Sequence, residues 1–304
     1  MTLGGIDLGG TKIEARLFDA AGAETLAVHR IPTPTDSFAS LLSALSQVVT
    51  WLEAEGGGPM PIGLSIAGMI DPDSGVSFAA NLPSSGYAIA HELEIATGRH
   101  ISVLNDCMAF TYSEANGGAG EGARNAVGLI IGTGVGAGLC VDCQLPYRHG
   151  GLAVEIGHLG LTAATLARHD LPVLRCGCGQ EGCVETYVAG PGLSHLAQLR
   201  LGRALTPQEL SADQSAEAQA VLEIWADLAA DALYAIQITL APDRIILGGG
   251  LSNLPDCADR LTSSLARRGL SDAPRPQIVT ARFGDTSGAR GAALVAKEHM
   301  RVRA

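Results

Sequence analysis

Apolar and polar positions alternate between two periods along this chain. The clearest helical stretch follows Asp36. Phe38, Leu41, Leu42, Leu45, Val48, Val49 and Leu52 fall at i, i+3, i+4, i+7, i+10, i+11 and i+14, which is one face of a 3.6-residue period. Asp36 is read as its N-cap and Gly56 as its stop. Three short runs before it read as strands: 3–7 ending at Asp7, 12–19 after the turn Gly9-Gly10, and 25–31 after a turn over 20–23. After it come a strand over 61–68, a hairpin around 71–75, a helix near 87–97, a strand over 101–106 and a helix over 107–118. The first 118 residues therefore read β-β-β-α-β-α-β-α.

The second half opens in the same way, with a strand from Asn125, a glycine turn at 132–138 and a second strand. A cysteine-rich insertion covers 150–190. A long helix is expected over 213–240, where Val221, Leu222, Ile224, Trp225, Leu228, Ala229, Ala232 and Leu233 make a broad apolar face. A strand over 243–250, a helix over 261–269, a strand over 276–282 and a helix over 288–300 complete the pattern. A strand–glycine turn–strand unit thus opens both halves, and helices and strands alternate after each. This predicts two α/β lobes with a ligand between them, with one wider α/β sheet as the alternative.

Composition narrows the function. The 304 residues suffice for two cores, and 47% hydrophobic content excludes a mainly disordered chain. A formal charge of −11 argues against nucleic acid as a partner. No apolar run approaches the ~18 residues needed to span a bilayer, so no membrane partner is expected. The start MTLGGIDLGG lacks a basic segment followed by a long apolar one, so the expected location is cytoplasmic. Seven cysteines, an odd number, argue against a disulfide framework.

The 39 glycines cluster where chemistry is expected. In DLGGTK, residues 7–12, Gly9 and Gly10 permit positive φ and leave backbone N–H groups bare for phosphate oxygens. Thr11 adds a hydroxyl, and Asp7 at the strand end suits Mg²⁺, directly or through water. GTGVGAG repeats the logic with Gly132, Thr133, Gly134 and Gly136. LGGGLS places Gly249 and Gly250 after a strand, where they suit a nucleoside. Neither fixed nucleotide formula fits: Lys12 lacks the spaced glycines of a P-loop, and a strand rather than a helix follows GTGVGAG.

RCGCGQEGCVE carries Cys176, Cys178 and Cys183 within eight residues. Three thiolates need a fourth ligand for tetrahedral zinc. His158 in EIGH is the natural candidate, with His149, His169 and His195 as rivals. A closed Cys₃His site would be structural. Cys140 and Cys143 form a CxxC without a second pair, and Cys107 and Cys257 read as core residues. Asp106 ends a strand in LND; it suits a proton acceptor for a hydroxyl nucleophile, or the N-cap of a helix over 107–115, or both. Glu155 and Glu185 bracket the metal ligands and suit sugar hydroxyls, or a plain surface role.

Taken in order, DLGGTK, LND, GTGVGAG, EIGH and RCGCGQEGCVE resemble the ROK family of sugar kinases and related repressors over essentially the whole chain. The resemblance implies a two-lobe, actin-like (ribonuclease-H-like) α/β fold. Its N-terminal lobe would span 1–118 plus 290–304, and its C-terminal lobe 119–289 with a zinc-binding insertion near 150–190. It implies ATP, Mg²⁺ and structural Zn²⁺. Asp106 would be the general base. Asn81, Asn105, Glu155, His158 and Glu185 would contact the sugar, with His158 also on zinc, and Gly9 to Lys12 and the loop from Gly132 would hold the phosphates. The long segment between His158 and Cys176 is similar to the branch acting on N-acetyl-D-glucosamine at O6. Kinases of glucose, mannose or N-acetylmannosamine are the alternatives. A repressor would need an N-terminal helix-turn-helix, for which a first strand at residue 3 leaves no room. Ala67-Gly68 stands where the family often has Pro-Gly. A homodimer is an open alternative to a monomer.

Overall fold

The computed structural model describes residues 1–268 and 272–303. It divides into two compact units, Met1–Gly118 with Gln144–Ala153 and Asp285–Ala304, and Ala119–Cys143 with Val154–Gly284.

In the first unit, β1 (Leu3–Leu8), β2 (Lys12–Phe18) and β3 (Thr25–Pro32) form an antiparallel meander, followed by α1 (Phe38–Gly56) and β4 (Ile62–Ile66). A two-stranded hairpin, β5 (Met69–Ile70) with β6 (Ser77–Phe78), precedes α2 (Ile89–Thr97), β7 (Ile101–Asn105) and α3 (Asp106–Ala115). The sheet order is β3-β2-β1-β4-β7, with β4 parallel to both β1 and β7. The apolar stripe of α1 buries Leu41, Leu45, Val48, Val49 and Leu52 in a core with Ile6, Ile13, Ile62 and Leu64. Its N-cap is Ser37 rather than Asp36: Ser37 is extended and accepts from Ser40 N, while the Asp36 carboxylate accepts from Ser40 Oγ. The left-handed C-cap is Gly57, one residue past the expected Gly56.

The second unit begins with the hairpin β8 (Asn125–Ile131) and β9 (Val135–Val141), then α4 (Ala163–Arg168), α5 (Val184–Val188), α6 (Gly190–Leu201), α7 (Pro207–Ala212) and the long α8 (Ala216–Leu240). β10 (Arg244–Gly248), α9 (Cys257–Ala266) and β11 (Gln277–Thr280) follow. The sheet order is β11-β10-β8-β9. Trp225 and Leu228 of α8 lie in a core with Leu129, Val188 and Leu247. The helix expected over 261–269 begins earlier, at Cys257, and its expected end at Gly269 lies outside the described residues.

The last helix, α10 (Ser287–Arg303), belongs to the first unit. Two boundaries differ from expectation. This unit resumes at Asp285, not 290, because the first turn of α10 already packs against β1: a Cβ on Gly288 would stand 2.8 Å from Asp7 Oδ1. Residues 144–153, expected in the second lobe with the insertion, also group with the first unit. There a Cβ on Gly151 would stand 1.7 Å from the Ile70 carbonyl oxygen, and Gln144 Nε2 donates to Glu298. The buried Arg290 fastens α10 by donating to the carbonyls of Gly22, Ser113 and Asn116.

Sheet and α10 meet without side chains. A Cβ on Gly63 of β4 would lie 1.9 Å from the Ala292 carbonyl oxygen, and α10 meets α3 as closely, a Cβ on Gly291 lying 1.8 Å from the carbonyl oxygen of Ala109. Backbone cannot yield there as a flexible side chain would. Gly63→Ala is therefore expected to cost about 1–3 kcal/mol of stability, read as a lower urea midpoint with unchanged slope.

Candidate functional site

The first unit gathers carboxylates at the ends of its parallel strands. Pairing of Leu8 with Ile66 and of Ile66 with Asn105 sets Asp7, the Ala67-Gly68 turn and Asp106 at one end of the sheet. Asp7 Oδ1 accepts from Ser65 Oγ at 3.0 Å. Burial pushes the Asp7 carboxyl up to about 6; the Ser65 hydrogen bond opposes the rise, and the charges of Asp106 and Glu14 add to it. Gly288 lets the N-terminal turn of α10 come close to this carboxylate.

The DLGGTK turn differs from expectation in its backbone. Gly9 and Gly10 are absent from the described glycines with positive φ. Gly9 N donates to Lys12 O at 3.0 Å, and Thr33 Oγ1 to Gly9 O at 2.7 Å. A Cβ on either glycine would meet no protein atom closer than 3.4 Å. Neither φ nor packing within the protein demands glycine here, and the backbone of the turn is left open. Thr11 and Lys12 are exposed. Lys12 Nζ lies 3.1 Å from Glu14, a buried carboxylate that also binds Arg16 and Arg30. Burial works against its charge, but the hydrogen bonds from Arg30, Lys12 and Arg16 hold Glu14 below the usual carboxylate range.

Asn81 is exposed, and its Cβ would lie 3.6 Å from a Cβ on Gly10. The N-cap of α3 is Asn105, whose Oδ1 accepts from Met108 N; Asp106 is the first helical residue. The capping role considered for Asp106 thus falls to its neighbour. Asp106 Oδ1 accepts from Cys107 N at 2.8 Å and from Asn105 Nδ2 at 3.0 Å.

In the second unit the other two glycine segments meet. Gly132 N donates to Gly134 O and Gly190 N to Gly132 O, which ties the β8–β9 turn to the start of α6. Val135 N donates to Glu185 Oε2 at 2.9 Å. Glu185 is thus a strut for this turn, a role the sequence did not reveal. Gly249 has φ +80 and sits against the Ile131 backbone, where a Cβ would come within 2.5 Å of Ile131 O. A Cβ on Gly132 or Gly250 would meet nothing within 4 Å. Thr133 lies between Gly132 and Gly134 in the turn, Gly136 is within β9, and Glu155 is half-buried just before His158.

His158, Cys176, Cys178 and Cys183 converge, their ligand atoms all within 4.8 Å of one another. Cys176 Sγ lies 3.8 Å from His158 Nδ1, and Cys178 Sγ 3.7 Å from Cys183 Sγ. The rival His169 is engaged elsewhere, with Nε2 2.7 Å from Asp227 Oδ2. Cys107 and Cys257 are buried, as expected of core residues.

An ionic network on α8 holds the segment between His158 and Cys176, and sequence reasoning missed it. Asp227 pairs with Arg168, His169 and Arg268, while Asp231 accepts from Thr162 N, Thr165 Oγ1 and Arg268. The available signal was two aspartates, one turn apart, on the apolar face of a helix.

Strand-end carboxylates beside a bare-backbone turn suit phosphoryl transfer, which depends on positioning and charge rather than covalent chemistry; with the motifs above, the class they define is that of the sugar kinases. Comparison with known proteins agrees on this class and supplies the family. Residues 3–299 match the ROK family, and the chain belongs to it. It is 37% identical over 297 residues to the N-acetyl-D-glucosamine kinase of Escherichia coli O139:H28, covering 96% of this chain and 98% of that one. It is 35% identical over 298 residues to the N-acetylgalactosamine kinase of Shewanella sp. strain ANA-3, covering 96% and 95%. Among solved structures, the ROK hexokinase of Thermus thermophilus superposes with a TM-score of 0.85 at 31% identity, covering 99% of this chain and all of the other. The chain is a ROK sugar kinase with an α/β fold in two units.

The Asp227 network has a pH signature. Burial alone would raise the Asp227 carboxyl, but His169, Arg168 and Arg268 pull it down to about 2. A depressed folded-state value contributes stability above the unfolded value and loses it as pH falls toward the folded one. Wild type is expected to lose about 2 kcal/mol from this group between pH 5 and pH 2. Asp227→Asn should be less stable at neutral pH by a similar amount and show a shallower acid limb in denaturant titrations.

Proposed function

We propose that this sugar kinase transfers the γ-phosphoryl group of ATP to O6 of N-acetyl-D-glucosamine, giving the 6-phosphate and ADP. The observation that carries the chemistry is Asp106, a strand-end carboxylate fixed by two hydrogen bonds at the start of α3. It accepts the proton of the 6-hydroxyl as the new O–P bond forms and the bond to ADP breaks. The bare backbone of Gly9 to Lys12 and of the turn from Gly132 binds phosphate oxygens, and Gly249 and Gly250 border the nucleoside. The sugar is assigned to Asn81, Asn105, Asp106, Glu155, His158 and Glu185. The sheet order of the first unit supports the actin-like reading of the fold.

Two metals fit the residues present. Asp7, whose proton affinity is raised by burial and by Asp106, suits a divalent cation, and Mg²⁺ bound there would offset phosphate charge. The Cys₃His set suits zinc: with Zn–S near ~2.3 Å, tetrahedral ligands lie roughly 3.8 Å apart, close to the 3.7 and 3.8 Å separations found. Zinc there would be structural, joining the turn before Leu159 to the loop before Glu185.

The choice of sugar rests on likeness to the N-acetyl-D-glucosamine kinase. Likeness to an N-acetylgalactosamine kinase favours a second reading, which differs only in the configuration at C4. Comparing kcat/KM for N-acetylglucosamine, N-acetylgalactosamine and glucose, under identical ATP, Mg²⁺ and pH, decides between them. N-acetylglucosamine should lead, with glucose poor because acetamide partners go unpaired. A lead for N-acetylgalactosamine would establish the second reading, and glucose at or above both would replace them with a hexokinase. Asp106→Asn should cut kcat by about 10²–10⁴ with its fold intact.

Elemental analysis of the native protein should find one zinc per chain, which chelation removes with a fall in Tm. Unchanged zinc in Cys178→Ser would refute this ligand set.

A further inference from the structure

A cavity of about 470 Å³ opens in the second unit at the C-terminal end of α8. Gln237, Ile238, Pro242, Asp243, Pro274 and Arg275 are among its lining residues. It lies where β10 and β11 begin: Arg244 pairs with Gln277, and Gln277 N donates to Asp243 O. The glycine segments assigned to ATP follow the other ends of β8 and β10, so this cavity is separate from the proposed nucleotide site. Its volume falls in the range of small-molecule sites, roughly 300–1,000 Å³.

The lining carries a buried acceptor in need of a donor. Gln237 is 7% exposed, and its Nε2 donates to Pro274 O at 2.8 Å. A carbonyl only accepts, so this bond fixes which end of the amide is nitrogen. Oε1 is left buried with no hydrogen-bond partner among the described residues. Folded proteins rarely leave such an acceptor unpaired, and the cavity that Gln237 lines is where a ligand can supply the donor.

Two further features call for positive charge beside it. The last turn of α8 holds no basic residue, so the negative end of the helix is not offset from within that turn. Asp243 Oδ2 accepts from Arg124 N and Asn125 N, which fixes the carboxylate and leaves Oδ1 for a ligand. One cation completes the lining: Arg275, exposed and next to Pro274, reaches Ala266 O at a long 3.4 Å. The remaining wall is apolar, with Ile238 exposed beside Pro242 and Pro274. A simple cation would be repelled by Arg275, and a simple anion by Asp243 and the helix end. A zwitterion with an apolar body satisfies all three parts.

We propose that this cavity is a second ligand site, which binds a small zwitterion of the apolar α-amino-acid class. The ammonium group donates to Gln237 Oε1 and Asp243 Oδ1, the carboxylate pairs with the Arg275 guanidinium, and the side chain covers Ile238 and Pro242.

Calorimetric titration of the full chain with L-leucine is the test. Saturable binding is expected at one site per chain, with Kd of roughly 1 mM or tighter. Isoamylamine lacks the carboxylate and 4-methylpentanoate lacks the ammonium group; each should bind at least ~10-fold more weakly. Arg275→Gln, a change at the surface, should weaken L-leucine by ~10-fold or more and leave isoamylamine unchanged. Gln237→Leu should abolish leucine binding, and Arg275→Gln decides the matter if that buried variant does not fold. Saturating MgADP should leave leucine binding unaltered. Absence of saturable heat with both L-leucine and L-phenylalanine would overturn the proposal. So would equal binding of leucine and isoamylamine, an unchanged leucine affinity in Arg275→Gln, or competition by MgADP, which would put the amino acid in the nucleotide site.

Discussion

Parallel, in-register pairing of β1, β4 and β7 is the constraint on which the first unit's candidate site depends. Parallel strands all end at the same side of a sheet, and groups beyond their C-termini face a common crevice. Here the register places Leu8, Ile66 and Asn105 side by side. Asp7, the Ala67-Gly68 turn and Asp106 inherit that alignment. Two carboxylates so placed repel each other, and burial together with the charges of Asp106 and Glu14 raises the Asp7 carboxyl to about 6 against the opposing Ser65 hydrogen bond. A fold gains nothing from such an arrangement, and perturbed carboxylates of this kind cluster at functional sites.

The second unit solves a different problem, the support of a turn that lacks side chains. β8 and β10 pair with Leu129 opposite Leu247 and Ile130 opposite Gly248, which brings Gly249 against Ile131. Gly190 N and the Glu185 carboxylate then hold the β8–β9 turn from beside it. Glu185 follows Cys183 by two residues, so the cysteine cluster and the glycine turn are fastened through one short segment. The Asp227 and Asp231 network secures the stretch between His158 and Cys176 by charge. An ionic clamp of this kind is stable only while every partner is present, because a lone buried charge is costly.

The sequence by itself determined the order of the main elements and the residues of the Cys₃His cluster. Helix α1 was legible because its apolar spacing is regular, and the glycine turns because both are flanked by strands. The cluster of His158, Cys176, Cys178 and Cys183 was legible because three cysteines separated by glycines have few other uses. Cap positions slipped by one residue, from Asp36 to Ser37 and from Asp106 to Asn105, since adjacent polar residues satisfy the same local rule and only backbone angles choose between them. What only the tertiary structure decided were relations between residues distant along the chain. Ser65 on Asp7, Glu185 on Val135, Gly63 under Ala292 and the grouping of 144–153 with the first unit leave no local periodicity. Sequence patterns report which face of an element is buried; which partner satisfies a polar group depends on how the elements pack.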